Sequence, residues 1–401
     1  VGAILIAALN IYIAWRYSGQ LIGPDEGIWL LTGITGAKYG CDYVDCKPPG
    51  IHFYMWLLAK LTGRRVPIMK FLHHAIIGAI AVCVYYLTGS LSSGLMATAL
   101  LQSAWFLAYQ SWVDALGSAF LLLGVLLPPY PALVCFAIAT LFNIKMAVPA
   151  LVWGITQHWF VEMAIVILGG LFVLNAIYIY RPAWIDTTVY QAVTVAARLT
   201  TYRKQIFQNT FNSTWAVSML LVIPTLLAAV QARTSIALWV VFAVYALLNA
   251  AGRTWRPNHW LPLSLMAAAA PPLTWSVLIL LMEWISTRAY WGNIWLTTYP
   301  GIVQELLEAK AIGEVLRDKP GTLWVNTLHT QIYIYAQKKP MYNMVQQVEI
   351  ADVIPERAAQ RDQALRKLAP TIIVLGPLSV PAREIQGYRL LSQTTHFAVV
   401  G

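Results

Sequence analysis

VPIMKFLHHAIIGAIAVCVYYL, residues 66–87, contains one lysine, no acidic residue and no break after its opening proline. An α-helix rises 1.5 Å per residue, so about 20 apolar residues cross the roughly 30 Å hydrocarbon core of a bilayer. This run is long enough to span, and it sets the expectation for the rest of the chain.

Working outward, residues 1–17 form a similar run, read as a first span or signal-anchor rather than a cleaved signal peptide. Toward the C-terminus, apolar runs recur at 95–111, 114–127, 131–142, 146–156, 160–180, 215–230, 235–251, 260–270 and 274–284. Pro271-Pro272 separates the last two. Several runs are shorter than a full crossing, which a bundle accommodates by local thinning of the bilayer. The expectation is an α-helical polytopic membrane protein with about eleven transmembrane helices at roughly one run per crossing.

Composition agrees. The chain has 401 residues, of which 59% are hydrophobic and 11% charged, and its mean hydropathy is +0.62. Soluble domains carry roughly 25% charged residues. Seventeen Trp and twenty Tyr suit a protein with many membrane interfaces. The formal charge of +10 does not point to nucleic acid, because the basic residues punctuate apolar helices instead of forming a soluble stripe. Anionic lipid or phosphate is the expected partner.

Residues 18–65 form a long polar and aromatic loop with two amphipathic segments, at 25–39 and 51–61. Each is too short to cross, so both are expected to lie at the membrane surface, the second introduced by Lys47-Pro48-Pro49-Gly50. Cys41 and Cys46 in this loop admit a local disulfide, a metal pair or two free thiols. Cys83 and Cys135 sit in apolar runs and read as packing residues.

The character changes near residue 286. The membrane module is expected over 1–286 and a soluble α/β domain over 287–401, with strands at 322–326, 331–335, 371–375, 388–391 and 397–400 and an amphipathic helix at 358–368. Counting crossings puts the C-terminal domain on the same side as the loops 18–65, 181–213 and 252–259. That side is read as extracytoplasmic, although a tally of loop Lys and Arg would invert it. The basic residues there sit beside acidic and aromatic ones, as in a site.

Asp25-Glu26 follows Pro24 at the start of an amphipathic segment. Adjacent carboxylates there serve as helix cap and dipole partners, or one acts as general base while a nearby cation offsets a phosphate leaving group. Asp114 begins an apolar run. A carboxylate at membrane depth is costly and marks a site, and its alternative is an interfacial N-cap. Lys145 lies between apolar runs and either snorkels or faces the same site. Arg198, Tyr202, Arg203 and Lys204 form a basic aromatic cluster that suits a donor phosphate or lipid headgroups. Arg256 and His259 line a cavity mouth or cap a span. His73-His74 reads as packed, without the further ligands a metal would need. Asn212-Ser213-Thr214 fits the glycosylation acceptor pattern.

In order along the chain stand Pro24-Asp25-Glu26 with Trp29, Gly36, Lys47-Pro48-Pro49 with Tyr54 and Trp56, Val113-Asp114, Lys145, and Arg256 through His259-Trp260-Leu261-Pro262. Together they resemble the polyprenyl-phosphate-sugar-dependent glycosyltransferases of the GT-C superfamily, in the branch of the protein O-mannosyltransferases and the lipid A aminoarabinose transferase. The resemblance implies an inverting sugar transfer at the outer membrane face. It implies Asp25 as base, Glu26 orienting the acceptor or Asp25, Asp114 completing the acidic cavity, Lys47 in contact with the lipid phosphate and Lys145 near it, and Arg203, Lys204 and Arg256 are assigned beside them to the donor phosphate. Tyr54, Trp56 and His259 would then line the acceptor side. The polyprenyl-phosphate sugar is the donor substrate, the acceptor is a lipid, protein or polysaccharide, and no metal ligand set is assigned. Lys70 stands where the family commonly has Arg, which keeps the charge and loses the bidentate fork. Two alternatives stay open. One is a non-catalytic subunit or scaffold of a larger membrane complex. The other is a transporter, which predicts duplicated halves that the sequence lacks.

Overall fold

The computed structural model describes residues 1–35, 49–102, 112–177, 222–251, 257–291, 300–327, 329–341, 355–376 and 387–401. The chain divides into two compact units. One comprises Val1–Gln20, Arg65–Leu174 and Arg203–Thr298, the other Leu21–Arg64, Asn175–Tyr202 and Tyr299–Gly401. Residues 21–64, read from sequence as a loop of the membrane module, therefore group with the C-terminal part.

The first unit is helical. Its described helices are α1 (Gly2–Ser18), α4 (Val66–Thr88), α5 (Leu91–Leu101), α6 (Trp112–Leu126), α7 (Pro129–Phe142), α8 (Ala147–Thr156), α9 (Phe160–Ile177), α10 (Val222–Gln231), α11 (Ile236–Ala251) and α12 (Leu273–Trp291). Among the described residues, one helix, α4, is long and apolar enough to cross a membrane by itself. The apolar helices α5 to α12 are described with their side chains over stretches of 10–17 residues, and the count of about eleven crossings stays an expectation. The run at 260–270 is part of a 3-10 helix, Pro257–Ala269, with Pro262 inside it. That residue has no N–H to give to an α-helical ladder.

Packing inside this unit rests on small residues. Gly78 of α4 meets Asn10 of α1, Gly94 of α5 meets Ile6, and Gly124 of α6 meets Phe136 of α7, each too closely for a β-carbon. This close approach is how helices pack where apolar burial gives no net drive. Asn10 Nδ2 donates to Thr98 Oγ1 at 2.9 Å, and Gln102 Nε2 donates to Asn10 Oδ1 and to the His74 carbonyl. His73 and His74 are both buried, His74 stacked on Tyr17 with ring centroids 4.8 Å apart. Outward, Ile4, Trp15, Tyr86, Ile155, Val161, Leu168 and Ile236 are exposed. So much exposed apolar side chain across several helices is the surface that a lipid solvent requires.

The second unit joins α2 (Pro24–Thr35) and α3 (Pro49–Thr62) to α13 (Pro300–Arg317), β1 (Leu323–Asn326), α14 (Gln331–Tyr335), α15 (Pro355–Leu368), β2 (Ile372–Leu375), β3 (Leu390–Gln393) and β4 (Ala398–Val400). The sheet order is β1-β2-β4-β3, with β1 and β2 parallel and the other two pairings antiparallel. Leu323 pairs with Ile372 and Asn326 with Leu375. Trp324, Ile373, Leu375 and Val400 form its core, covered by Ala364 and Leu365 of α15 and by Tyr388. The apolar runs at 323–326 and 372–375 are buried on every residue, as a covered sheet demands.

One strand expected from sequence is a helix. Gln331–Tyr335 alternates polar and apolar, yet Ile332 N–H bonds the His329 carbonyl and Tyr333 N–H the Thr330 carbonyl, each at 3.0 Å. The edge amide of β1 that another strand would have taken, Val325 N–H, goes instead to the Tyr333 hydroxyl at 2.8 Å. Strand β3 begins two residues later than the expected 388.

Candidate functional site

The sequence-predicted residues fall into two described groups, one in each unit. Lys47, Arg203, Lys204 and Arg256 lie outside the described residues, as do Gly36, Cys41, Cys46, Arg198, Tyr202 and the Asn212-Ser213-Thr214 pattern. The side chains of Asp25 and His259 are likewise outside what is described, although Asp25 is placed in the first turn of α2 and His259 in the 3-10 helix.

The first group is built on α2. Pro24 opens it with a φ already suited to a helix, and Glu26, 1% exposed, folds its carboxylate back to accept the Gly23 N–H at 3.2 Å. That is the carboxylate half of a capping box, which satisfies one of the orphan amides at a helix start. Glu26 thus does the local work that sequence offered as an alternative to catalysis. Trp29, Ile28 and Leu30 are buried with it. Thr32 donates to the Trp29 carbonyl at 2.8 Å, and the same hydroxyl lies 3.3 Å from His52 Nδ1, tying α2 to α3.

On α3, Tyr54 is half-buried, and burial raises its phenol well above the ordinary value. Trp56 stacks on Phe53 at 5.7 Å, and the Lys60 ammonium sits 3.9 Å from the centroid of the Trp56 ring. A cation so placed is worth roughly 0.5–1 kcal/mol at an exposed site. Trp56 therefore carries a packing role beside the acceptor role expected of it.

The second group sits where α6 and α7 meet. Asp114, in the first turn of α6, is 5% exposed and accepts a hydrogen bond from Asn143 Nδ2 just past the end of α7. Asn143 Oδ1 in turn accepts the backbone N–H of Lys145 at 3.1 Å, in the 3-10 turn Ile144–Met146. A buried carboxylate is therefore held by an amide two residues from a lysine that is itself exposed. Buried charge costs several kcal/mol unless partnered, which is why such a group marks a site more often than a scaffold. Elsewhere in this unit Lys70, buried, donates to the Gln20 carbonyl at 2.9 Å.

Sequence reasoning passed over a polar cluster of the α/β part. Glu305 Oε1 lies 2.7 Å from His329 Nε2, and His329 Nδ1 is 2.8 Å from Gln331 Nε2. One turn on, Glu308 accepts the His396 N–H at 3.0 Å and a bond from Gln304. Burial raises the Glu308 carboxyl, but hydrogen bonds from Thr394, Gln304 and His396 outweigh it and hold the group down at about 2. It also passed over Gly27, Gln331 and Tyr335. A β-carbon on Gly27 would come within 2.8 Å of the Gln331 backbone nitrogen, and the Tyr335 hydroxyl accepts the Ile22 N–H at 3.0 Å. The only signal for them in sequence was a glycine inside an amphipathic helix. Among the described residues, no cluster of three or more His, Cys, Asp or Glu could hold a metal ion.

No protein-family model matches the chain, and no curated protein does. The crystal structure of ArnT from Cupriavidus metallidurans in the apo state is similar over 99% of this chain and 97% of that chain, with 15% identity and a TM-score of 0.41. A likeness that loose carries no argument about fold or activity.

Proposed function

We propose that the chain is a membrane-embedded glycosyltransferase of the GT-C type that moves a sugar from a polyprenyl-phosphate donor to an acceptor at the external face. The observation that carries this reading is the buried Asp114 in the first turn of α6, held by Asn143 next to Lys145, at one of the positions where the ordered sequence motifs place the acidic site. In the reaction, an acceptor hydroxyl or amine attacks the anomeric carbon as the bond to the phosphate oxygen breaks. Polyprenyl phosphate leaves, the configuration inverts, and the acceptor proton passes to a carboxylate. Asp25 is assigned as that base, Glu26 as the group that fixes the turn carrying it, and Asp114 as the second acidic wall. Lys47, Lys145, Arg203, Lys204 and Arg256 are assigned to the leaving phosphate. Tyr54, Trp56 and His259 are assigned to the acceptor side. Positioning and fixed charge supply the rate, with no covalent intermediate.

One observation favours a second reading. Glu26 caps α2 through its carboxylate, local work that a non-catalytic subunit which kept only the architecture would do as well. Purified full-length chain in vesicles, given labelled polyprenyl-phosphate-linked mannose or aminoarabinose, separates the two. The transferase reading expects donor discharge by the wild type and none by Asp25→Asn with donor binding retained. Discharge at the wild-type rate by Asp25→Asn would remove the base assignment, and no discharge by either chain would favour the subunit.

A further inference from the structure

We infer that the α/β part of the second unit positions the acidic turn of α2, and that Tyr335 is its positioning residue. This rests on the transferase reading for its catalytic consequence, and on the geometry alone for the positioning itself.

Asp25 is bracketed by two points fixed to the same short helix, α14. Three residues before it, the Ile22 N–H donates to the Tyr335 hydroxyl at 3.0 Å. Two residues after it, Gly27 lies so close to α14 that a β-carbon there would stand 2.8 Å from the Gln331 nitrogen and 3.1 Å from Thr330 Oγ1. Between them, Glu26 closes the turn on the Gly23 amide. Such a bracket leaves the backbone at Asp25 little freedom to move independently of α14.

Helix α14 is itself held on three sides. Tyr333 takes the Val325 N–H and fixes it to β1. Arg317, at the end of α13, grips the Tyr335 carbonyl with Nε at 3.2 Å and Nη2 at 3.1 Å. Gly313 lets α13 approach until a β-carbon would strike the Tyr335 side chain. A five-residue helix has no stability of its own, so these ties are what hold the two tyrosine hydroxyls in place. Burial raises the Tyr335 phenol to about 12, with Glu26 and Glu314 adding to the shift against the lowering bond from Ile22, so the hydroxyl stays neutral at any physiological pH. The load path runs from the sheet through Tyr333, α14 and Tyr335 to residues 22 and 27. Misplacement of a catalytic group by about 1 Å can cost on the order of 10²-fold in rate, which is why a domain that touches no reacting atom can still set kcat.

The test compares wild type, Tyr335→Phe and Gly27→Ala as full-length chains in vesicles with polyprenyl-phosphate-linked mannose and aminoarabinose. The proposal expects kcat to fall about tenfold or more in Tyr335→Phe with the donor KM within about twofold, because only positioning is lost. It also expects amide hydrogen exchange over residues 22–30 to quicken by about tenfold or more while residues 113–126 and the thermal midpoint hold. Exchange over 22–30 unchanged in Tyr335→Phe would overturn it, as would a quickening spread evenly over the whole chain. Should Gly27→Ala fail to accumulate, Tyr335→Phe decides alone. If the wild type transfers no sugar, the transferase reading falls and the exchange measurement still decides the positioning.

Discussion

The two described acidic groups are held by different physics. Glu26 and the turn around Asp25 are fixed through backbone: a capped amide at Gly23, an amide at Ile22 donated to Tyr335, and a glycine pressed against α14. Asp114 is fixed through side chain, by the Asn143 amide that crosses from the end of α7 to the start of α6. Backbone anchoring sets where the turn that carries a carboxylate stands. Side-chain anchoring commits one oxygen and leaves the helix to set the place. A base needs the first arrangement and a fixed charge tolerates the second, which is the division of labour assigned to Asp25 and Asp114.

The largest expected effect separates these roles in turnover. Asp25→Asn should lower sugar transfer by about 10³-fold or more, the size usual for a lost general base. Asp114→Asn should keep the hydrogen-bonding shape and lose less, and a single-turnover assay on both reads the ratio. Equal losses would erase the distinction between base and fixed charge.

Next comes packing. Gly27→Val places a β-carbon and two methyl groups where a β-carbon alone would stand 2.8 Å from the Gln331 nitrogen. Overpacking of this kind costs about 1–3 kcal/mol, and the thermal midpoint of the chain in detergent should fall with it. Asn143→Ala, in the other unit, strips one partner from a buried carboxylate, at about 1–3 kcal/mol for the group left under-satisfied. Differential scanning of the two variants should show both losses, and only Gly27→Val should quicken exchange over residues 22–30.

The smallest effect concerns pH. Glu308 is held at about 2, below its ordinary 4.5. A carboxyl depressed on folding adds stability above its unfolded value and loses it as pH falls toward the folded one. Wild type should therefore be more stable than Glu308→Gln at neutral pH, and the gap should close between about 4.5 and about 2. A gap that widens on acidification would contradict the assignment.

Much of this was legible in sequence because local signals and tertiary demands agreed. The amphipathic stretches 25–39 and 51–61 fold as Pro24–Thr35 and Pro49–Thr62, each started by a proline as the helix N-terminus prefers. The apolar runs 322–326 and 371–375 became the buried parallel pair. Where the signals disagreed, tertiary contact won. The alternation in Gln331–Tyr335 is as good a strand as any by period, but its edge partner was already supplied by a tyrosine hydroxyl from within the segment itself. The positions that hold Asp25 were not legible, because Gly27 and Tyr335 lie more than 300 residues apart in sequence and have meaning only once α2 meets α14. The candidate site was legible as a set of residue types in order. Its anchoring was not, since Glu26 reads the same whether it binds a ligand or closes its own turn.

The most direct test of the account is a density map of the purified chain incubated with polyprenyl phosphate. The account predicts an isoprenoid tail ending in a phosphate beside the first turn of α2, within reach of Asp25. Apolar side chains filling that space, with no lipid density against the turn, would contradict it.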